Sequence, residues 1–160
     1  MILGMTVETF TRLHVVISLV GIGSGLMVVF GMVAGRLRDG WTTLFLLSTV
    51  LTSLTGFGFP FDHLLPSHKV GIVSLVVLAI VIVAKPRTHL GGSWRWIYAI
   101  GCVIALYLNV FVLIVQAFQK VPALAALAPT QSEPPFQLVQ LVVFGIFGWL
   151  GVAAVRRFRS

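Results

Sequence analysis

The chain has 160 residues, of which 58% are hydrophobic and 9% charged, and its formal net charge is +7. This composition is too apolar for a soluble domain of that size, and it excludes a nucleic-acid-binding module, which needs a solvated basic face. The single cysteine, Cys102, excludes a disulfide framework. The sequence therefore predicts one integral membrane domain over residues 1–160, with the lipid bilayer as its partner and no nucleic acid.

Apolar runs fill most of the chain, and a bilayer core requires roughly 20 residues of helix. We predict an all-α bundle of five transmembrane helices, over residues 13–34, 41–59, 68–84, 94–118 and 136–155. The first run is longer than a signal-peptide core and its flank has no basic cluster, so we expect a retained helix. A short interfacial helix is expected within Val121–Ala128.

Polar residues at the predicted helix starts are typical of N-caps. Asp39, Ser67 and Ser93 stand where the second, third and fourth helices are expected to begin. Thr130 and Glu133 have the spacing of a capping box before the fifth helix. These signals agree with the five-helix prediction.

Charge is distributed unevenly between the two sides of this predicted bundle. One side receives three of the four acids together with Arg12, Lys69 and Lys120. The other side receives most of the basic residues, namely Arg36, Arg38, Lys85, Arg87, Arg95, Arg156, Arg157 and Arg159. The positive-inside rule then predicts an outer N-terminus and a cytoplasmic C-terminus.

Two histidines are expected at the same depth near the outer face. His14 follows the start of the first helix and His68 opens the third, and these helices run in the same direction. Two axial imidazoles at one depth suit a b-type haem, with Arg12 and Lys69 near its propionates. Alternatively, His14 bonds a carbonyl oxygen and His68 only begins a helix.

Two amides offer a different site. Asn109 and Gln116, seven residues apart, share one face of the fourth helix and would line an outward-facing quinone or small-solute pocket with the histidines. The alternative for both is an ordinary interhelical hydrogen bond. A third hypothesis places a zinc or copper ion on Asp62, His63 and His68.

Small residues predict helix contacts. Gly21 and Gly25 on the first helix, and Gly148 on the fifth, would let other membrane subunits approach closely. A non-catalytic accessory or scaffold subunit is therefore the competing class, followed by a small-solute or metal-ion membrane protein. Common catalytic motifs are missing, so the sequence does not decide whether the protein is an enzyme.

Several segments resemble a functionally uncharacterised family of small polytopic inner-membrane proteins of bacteria. They are residues 13–18, 55–62, 66–72, 106–111 and 128–136. The resemblance implies a bacterial inner membrane and draws attention to His14, His68, Asn109 and residues 131–133. The chain is also loosely similar to small membrane b-type cytochromes, although it offers one histidine pair where the di-haem forms have two. We expect a redox-associated protein that binds haem b or a quinone near the periplasmic face.

Overall fold

The computed structural model describes residues 2–60 and 66–158, and these residues form an all-helical bundle. The long helices are α1 (Val7–Val33), α2 (Asp39–Gly56), α3 (Pro66–Ala84), α4 (Ser93–Lys120) and α6 (Pro134–Arg157), and α5 is the short helix Pro122–Leu127. A 3-10 helix, Lys85–Leu90, follows α3 directly. The predicted helical class is confirmed, and a short helix lies where it was expected.

Within the described residues, four helices are long and apolar enough to cross a membrane: Val7–Val33, Pro66–His89, Ser93–Lys120 and Pro134–Arg157. The chain is therefore a multi-pass membrane protein. Helix α2 is not among these four, although its 18 residues would extend about 27 Å. Its many serine and threonine residues make it less apolar than the others.

Neighbouring helices in the bundle are antiparallel. The α1–α2 register follows from His14 beside Thr55 and Gly25 beside Phe45. The same direction reversal relates α2 to α3, α3 to α4, and α4 to α6, through the pairs Phe57–His68, Val81–Gly101 and Tyr107–Phe147. Helices α1, α3 and α6 therefore run one way, and α2 and α4 run the other way.

The two ends of the bundle differ in chemistry. The histidine end, where α1, α3 and α6 begin, carries His14 and His68. The opposite end, here named the basic end, carries Arg36, Arg38, Lys85, Arg87, Arg95, Arg156 and Arg157. Between the ends, a core of fully buried side chains includes Val29, Met32, Phe45, Tyr98 and Leu106.

The outer surface of the bundle is apolar, as lipid contact requires. Helix α6 is the least covered of the spanning helices, with 17% of its span buried. Trp149 on this helix is 65% exposed, and Leu141 and Phe144 are also exposed. One side of α6 therefore faces the surroundings of the bundle rather than its core.

Helix starts differ by a residue or more from the predicted positions. Asp39 and Ser93 are the first residues of α2 and α4, whose N-caps are Arg38 and Gly92. At α6 the N-cap is Glu133 rather than Thr130, and half of the predicted capping box forms: the Glu133 carboxylate accepts from the backbone N–H of Thr130, and also from its hydroxyl. The acid fixes the loop before the helix, because Pro134 and Pro135 have no N–H groups for it to cap.

Candidate functional site

His14 is held by a hydroxyl from the neighbouring helix. Its Nδ1 lies 2.8 Å from Oγ1 of Thr55 on α2. The same hydroxyl lies 2.7 Å from the carbonyl oxygen of Leu51, which can only accept a hydrogen bond. The Thr55 proton therefore goes to its own helix, and Nδ1 of His14 must be the donor to Thr55.

This hydrogen bond fixes the tautomer of His14. With the proton on Nδ1, Nε2 carries the lone pair and is an acceptor or a metal ligand. Within the described residues, Nε2 makes no hydrogen bond, and the ring is only half-buried. The edge of the ring packs on Phe59, with centroids 5.3 Å apart and planes at 89°. A polar acceptor is thus held in place beside an aromatic wall.

The register of the helices brings Gln116 to the level of His14. Asn109 lies beside Gly21, since a Cβ on that glycine would be 3.5 Å from its amide nitrogen. His14 is seven residues before Gly21 on α1, and Gln116 is seven residues after Asn109 on the antiparallel α4. Gln116 is half-buried and has no hydrogen-bond partner in the described part of the chain. We name His14, Thr55 and Gln116 the outer polar layer.

Asn109 belongs to a second, deeper level, the inner polar layer of Gly21, Ser48, Thr49 and Asn109. Its side-chain amide donates to Oγ1 of Thr49 over 3.2 Å, and the residue is buried. Seven residues of helix separate the two layers by about 10 Å. Asn109 therefore lies deeper in the bundle than His14, and its hydrogen bond joins α4 to α2.

Apolar packing closes the bundle below the inner polar layer. A Cβ on Gly25 would lie 2.7 Å from Leu106 Cδ1 and 2.8 Å from the Phe45 ring, so side chains of α4 and α2 pack directly on the α1 backbone here. Leu106 and Phe45 are fully buried. This layer separates the polar groups at the histidine end from those at the basic end.

His68 lies on the other side of the same α2 terminus. Its ring packs against Phe57, with centroids 5.5 Å apart, and the residue is 4% exposed. Helix α2 packs against both α1 and α3, so its C-terminal turn meets His14 through Phe59 and His68 through Phe57. An aromatic ring of this turn therefore packs against each of the two histidines.

Among the described residues, Arg12 and Lys69 make no hydrogen bond with His14. Arg12 is exposed and pairs with Glu8 on its own helix, over 2.6 Å. Lys69 is exposed, whereas Asp62 and His63 lie outside the described residues. Within residues 2–60 and 66–158, no three His, Cys, Asp or Glu side chains are grouped to hold a metal ion.

Two of the three glycines proposed for partner contact are used within the chain. Gly21 and Gly25 are buried against α2 and α4. Gly148 differs, because a Cβ there would meet nothing within 4 Å. Only Gly148 of the three lies on an open face of the bundle.

Thr55 is the site residue that sequence reasoning missed. Thr55 is one of many hydroxyl residues on α2, and single-helix patterns do not distinguish the one that meets His14. The distinguishing signal is the antiparallel register, which becomes available only once Gly21 and Gly25 are placed against α2. No protein-family model, no curated protein and no solved structure matches this chain.

Proposed function

We propose that this chain is a redox-associated protein of the bacterial inner membrane that binds a quinol headgroup at its histidine end. The observation that carries the proposal is the hydrogen bond from His14 Nδ1 to Thr55, which leaves Nε2 as an acceptor. A quinol presents two hydroxyl donors, whereas the oxidised quinone presents only carbonyl acceptors. A neutral His14 held in this tautomer is therefore complementary to the reduced form.

The surroundings of His14 support this ligand class. Quinol rings are flat and apolar apart from their oxygens, and Phe59 offers an aromatic wall beside the acceptor nitrogen. Gln116, at the same level, has an amide that would offer both a donor and an acceptor to the oxygens of such a ring. The isoprenoid tail of such a ligand would lie in the surrounding bilayer.

The arrangement favours a quinol over haem b. His14 and His68 pack on two different phenylalanines, Phe59 and Phe57, so each imidazole already has an aromatic ring against it. A reduced-minus-oxidised absorption spectrum of protein purified from its native membrane tests this preference. A Soret band that disappears in both His14→Ala and His68→Ala would establish haem ligation and overturn the choice of quinol.

The quinol proposal predicts which redox form binds more tightly. A decyl-benzoquinol, kept reduced, should bind purified protein about fivefold more tightly than the matching quinone, as one net hydrogen bond of about 1 kcal/mol implies. Thr55→Val removes the hydroxyl oxygen that accepts from His14 Nδ1 and fixes the tautomer. The ratio of the quinone and quinol dissociation constants should therefore fall towards one. His14→Ala should weaken binding of the quinol.

A matched control is available one turn away on the same helix. Thr52 has a buried hydroxyl that makes no hydrogen bond to the described residues. Thr52→Val should therefore leave the preference for the quinol unchanged. Equal binding of both redox forms by the natural protein, or the same loss in Thr52→Val as in Thr55→Val, would contradict the role of His14.

We further propose a five-span topology, with the N-terminus in the periplasm and the C-terminus in the cytoplasm. The support is the charge difference between the ends, since the basic end would face the cytoplasm under the positive-inside rule. Helix α2 would be the fifth span, because it packs lengthwise against α1 from Thr55 to Phe45. The quinol site would then open towards the periplasmic face.

A further inference from the structure

A groove of about 500 Å³ runs between α4 and α6 in the half of the bundle nearer the basic end. Its walls are almost entirely apolar and include Ile100, Tyr107, Phe147 and Gly148. Its volume lies within the range of about 300–1,000 Å³ that is typical of ligand pockets. This groove is far from His14, so it is independent of the quinol site.

The length of the groove matches one leaflet. It extends along α4 from Trp96 to Tyr107 and along α6 from Arg156 to Phe144. Eleven or twelve residues of helix span about 16–18 Å, and half of a bilayer core is about 15 Å. A partner helix would contact the full height of α6, whereas an acyl chain from one leaflet would fill this half-length groove.

The open end of the groove is positively charged. Arg156, which is exposed, lines the groove at its mouth. Asp39 is the acid at the basic end, and it pairs with Lys85 over 3.7 Å. Within the described residues, Arg156 has no carboxylate at salt-bridge distance. An anionic phosphate headgroup would therefore complement a guanidinium that the protein itself leaves unpaired.

Two glycines of α6, which have no side chain, leave the space for the acyl chain. Gly148 has nothing within 4 Å of an added Cβ, while a Cβ on Gly151 would reach Val103 at 3.7 Å. At the closed end, Tyr107 packs on both Phe147 and Phe144, with ring centroids 5.6 and 5.7 Å apart. The groove is thus open at Gly148 and ends on a packed aromatic cluster.

From these observations we infer that the α4–α6 groove is a binding site for an anionic phospholipid, with an acyl chain between the helices and its phosphate on Arg156. A neighbouring groove of about 380 Å³ between α3 and α4 shares Trp96, Ile100 and Ile104 but has no charged lining residue. Selectivity for an anionic headgroup is therefore expected from the α4–α6 groove alone.

Tryptophan fluorescence tests this inference in vesicles. Trp96 lines both grooves, so a variant that keeps Trp96 and replaces Trp41, Trp94 and Trp149 by phenylalanine reports lipid in either, and substitutions confined to the α4–α6 groove then assign the signal. The protein is reconstituted in phosphatidylcholine that contains a minor fraction of either brominated phosphatidylglycerol or brominated phosphatidylcholine. We expect about fivefold stronger association of the brominated phosphatidylglycerol, the effect of one arginine near an anionic lipid.

Two matched pairs of variants distinguish a specific lipid site from a general attraction of anionic lipid to the basic end. Arg156→Gln should make the two lipids equivalent, whereas Arg157→Gln on the next, exposed residue should preserve the preference. Gly148→Leu should reduce quenching by filling the groove, and Gly145→Leu, which lies outside the groove lining, should not. Equal losses in Arg156→Gln and Arg157→Gln would overturn the inference.

A second reporter and a second method keep the test decisive. Trp149 is 65% exposed and does not line the groove, so a variant that keeps only Trp149 should show no headgroup preference. The same preference at Trp149 would indicate diffuse enrichment and overturn the site. Native mass spectrometry with all tryptophans intact should find phosphatidylglycerol retained by Arg157→Gln and lost from Arg156→Gln. Equal retention by both, or a second copy of the chain in place of lipid, would also overturn it.

Discussion

Gly25 provides the sharpest test of how the bundle is packed. A Cβ at this position would lie 2.7 Å from Leu106 Cδ1 and 2.8 Å from the Phe45 ring, distances that real Cβ atoms do not adopt. Gly25→Ala must therefore displace two buried side chains, and such overpacking typically costs about 1–3 kcal/mol. Against this, alanine is the better helix former by about 1 kcal/mol.

Gly23 isolates the packing contribution. It lies two residues earlier on the same helix, it is exposed, and a Cβ there would meet nothing within 4 Å. Gly23→Ala gains the same helix propensity without a clash. The free energy of unfolding of Gly25→Ala should therefore be about 1–3 kcal/mol below that of Gly23→Ala.

Cys102 makes this difference measurable in detergent. It is the only cysteine of the chain and is fully buried, so a thiol-reactive fluorophore labels it when the bundle opens. Labelling as a function of denaturant gives the midpoint for each variant. If Gly25→Ala were as stable as Gly23→Ala, the close approach of α1 to Phe45 and Leu106 would be refuted. Partial rescue by Phe45→Leu would locate the clash at that ring.

Two further predictions concern polar contacts. Thr49→Val should lower the free energy of unfolding by about 0.6 kcal/mol, the typical value of an interhelical hydrogen bond, because the Asn109 amide loses its acceptor. An unchanged denaturation midpoint in the Cys102 labelling assay would argue against that bond. Desolvation raises the pKa of Glu133, but hydrogen bonds from Thr130 and Ser132 outweigh it and hold the pKa below its ordinary value. The ionised carboxylate therefore stabilises the folded protein at pH values above the ordinary pKa of glutamate. This stabilisation is lost as the pH falls through the lowered pKa of Glu133. Amide-exchange protection at Thr130 should fall in that acidic range and in Glu133→Gln, with the Gln137 amide, bonded to a backbone carbonyl, as the unaffected control.

The sequence was sufficient for the helices because length and hydropathy are local properties. Each apolar run became a helix, and the loops fell at the charged and proline-rich segments. Helix α1 begins at Val7, before the predicted boundary, because Thr6 caps it by accepting from the Thr9 amide. That cap extends a polar first turn ahead of the apolar run, so a boundary drawn on hydropathy alone falls too late.

The site was less predictable because it depends on register. His14 and His68 were expected at one level, and both do lie at the end of α2. The sequence did not predict that the Phe57–Phe59 turn contacts both imidazole rings, because the hydrophobic periodicity of a helix says nothing about the conformation of the loop that follows it. Asn109 and Gln116 share a face of α4, yet only Gln116 reaches the level of His14. A helical wheel places Asn109 and Gln116 at nearly the same angle, but it does not show that they lie two turns apart along the helix axis.

The topology depends on α2, the helix that composition alone does not qualify as a span. If α2 crosses the membrane, Arg36 and Lys69 lie on opposite sides, since these residues follow α1 and open α3. In a Cys102→Ser background, Lys69→Cys should react with an impermeant maleimide added to intact cells stripped of the outer membrane. Arg36→Cys should react only after the inner membrane is permeabilised. Reaction of both from outside would mean that α2 does not cross, and His14 would then lose its place on a separate periplasmic face.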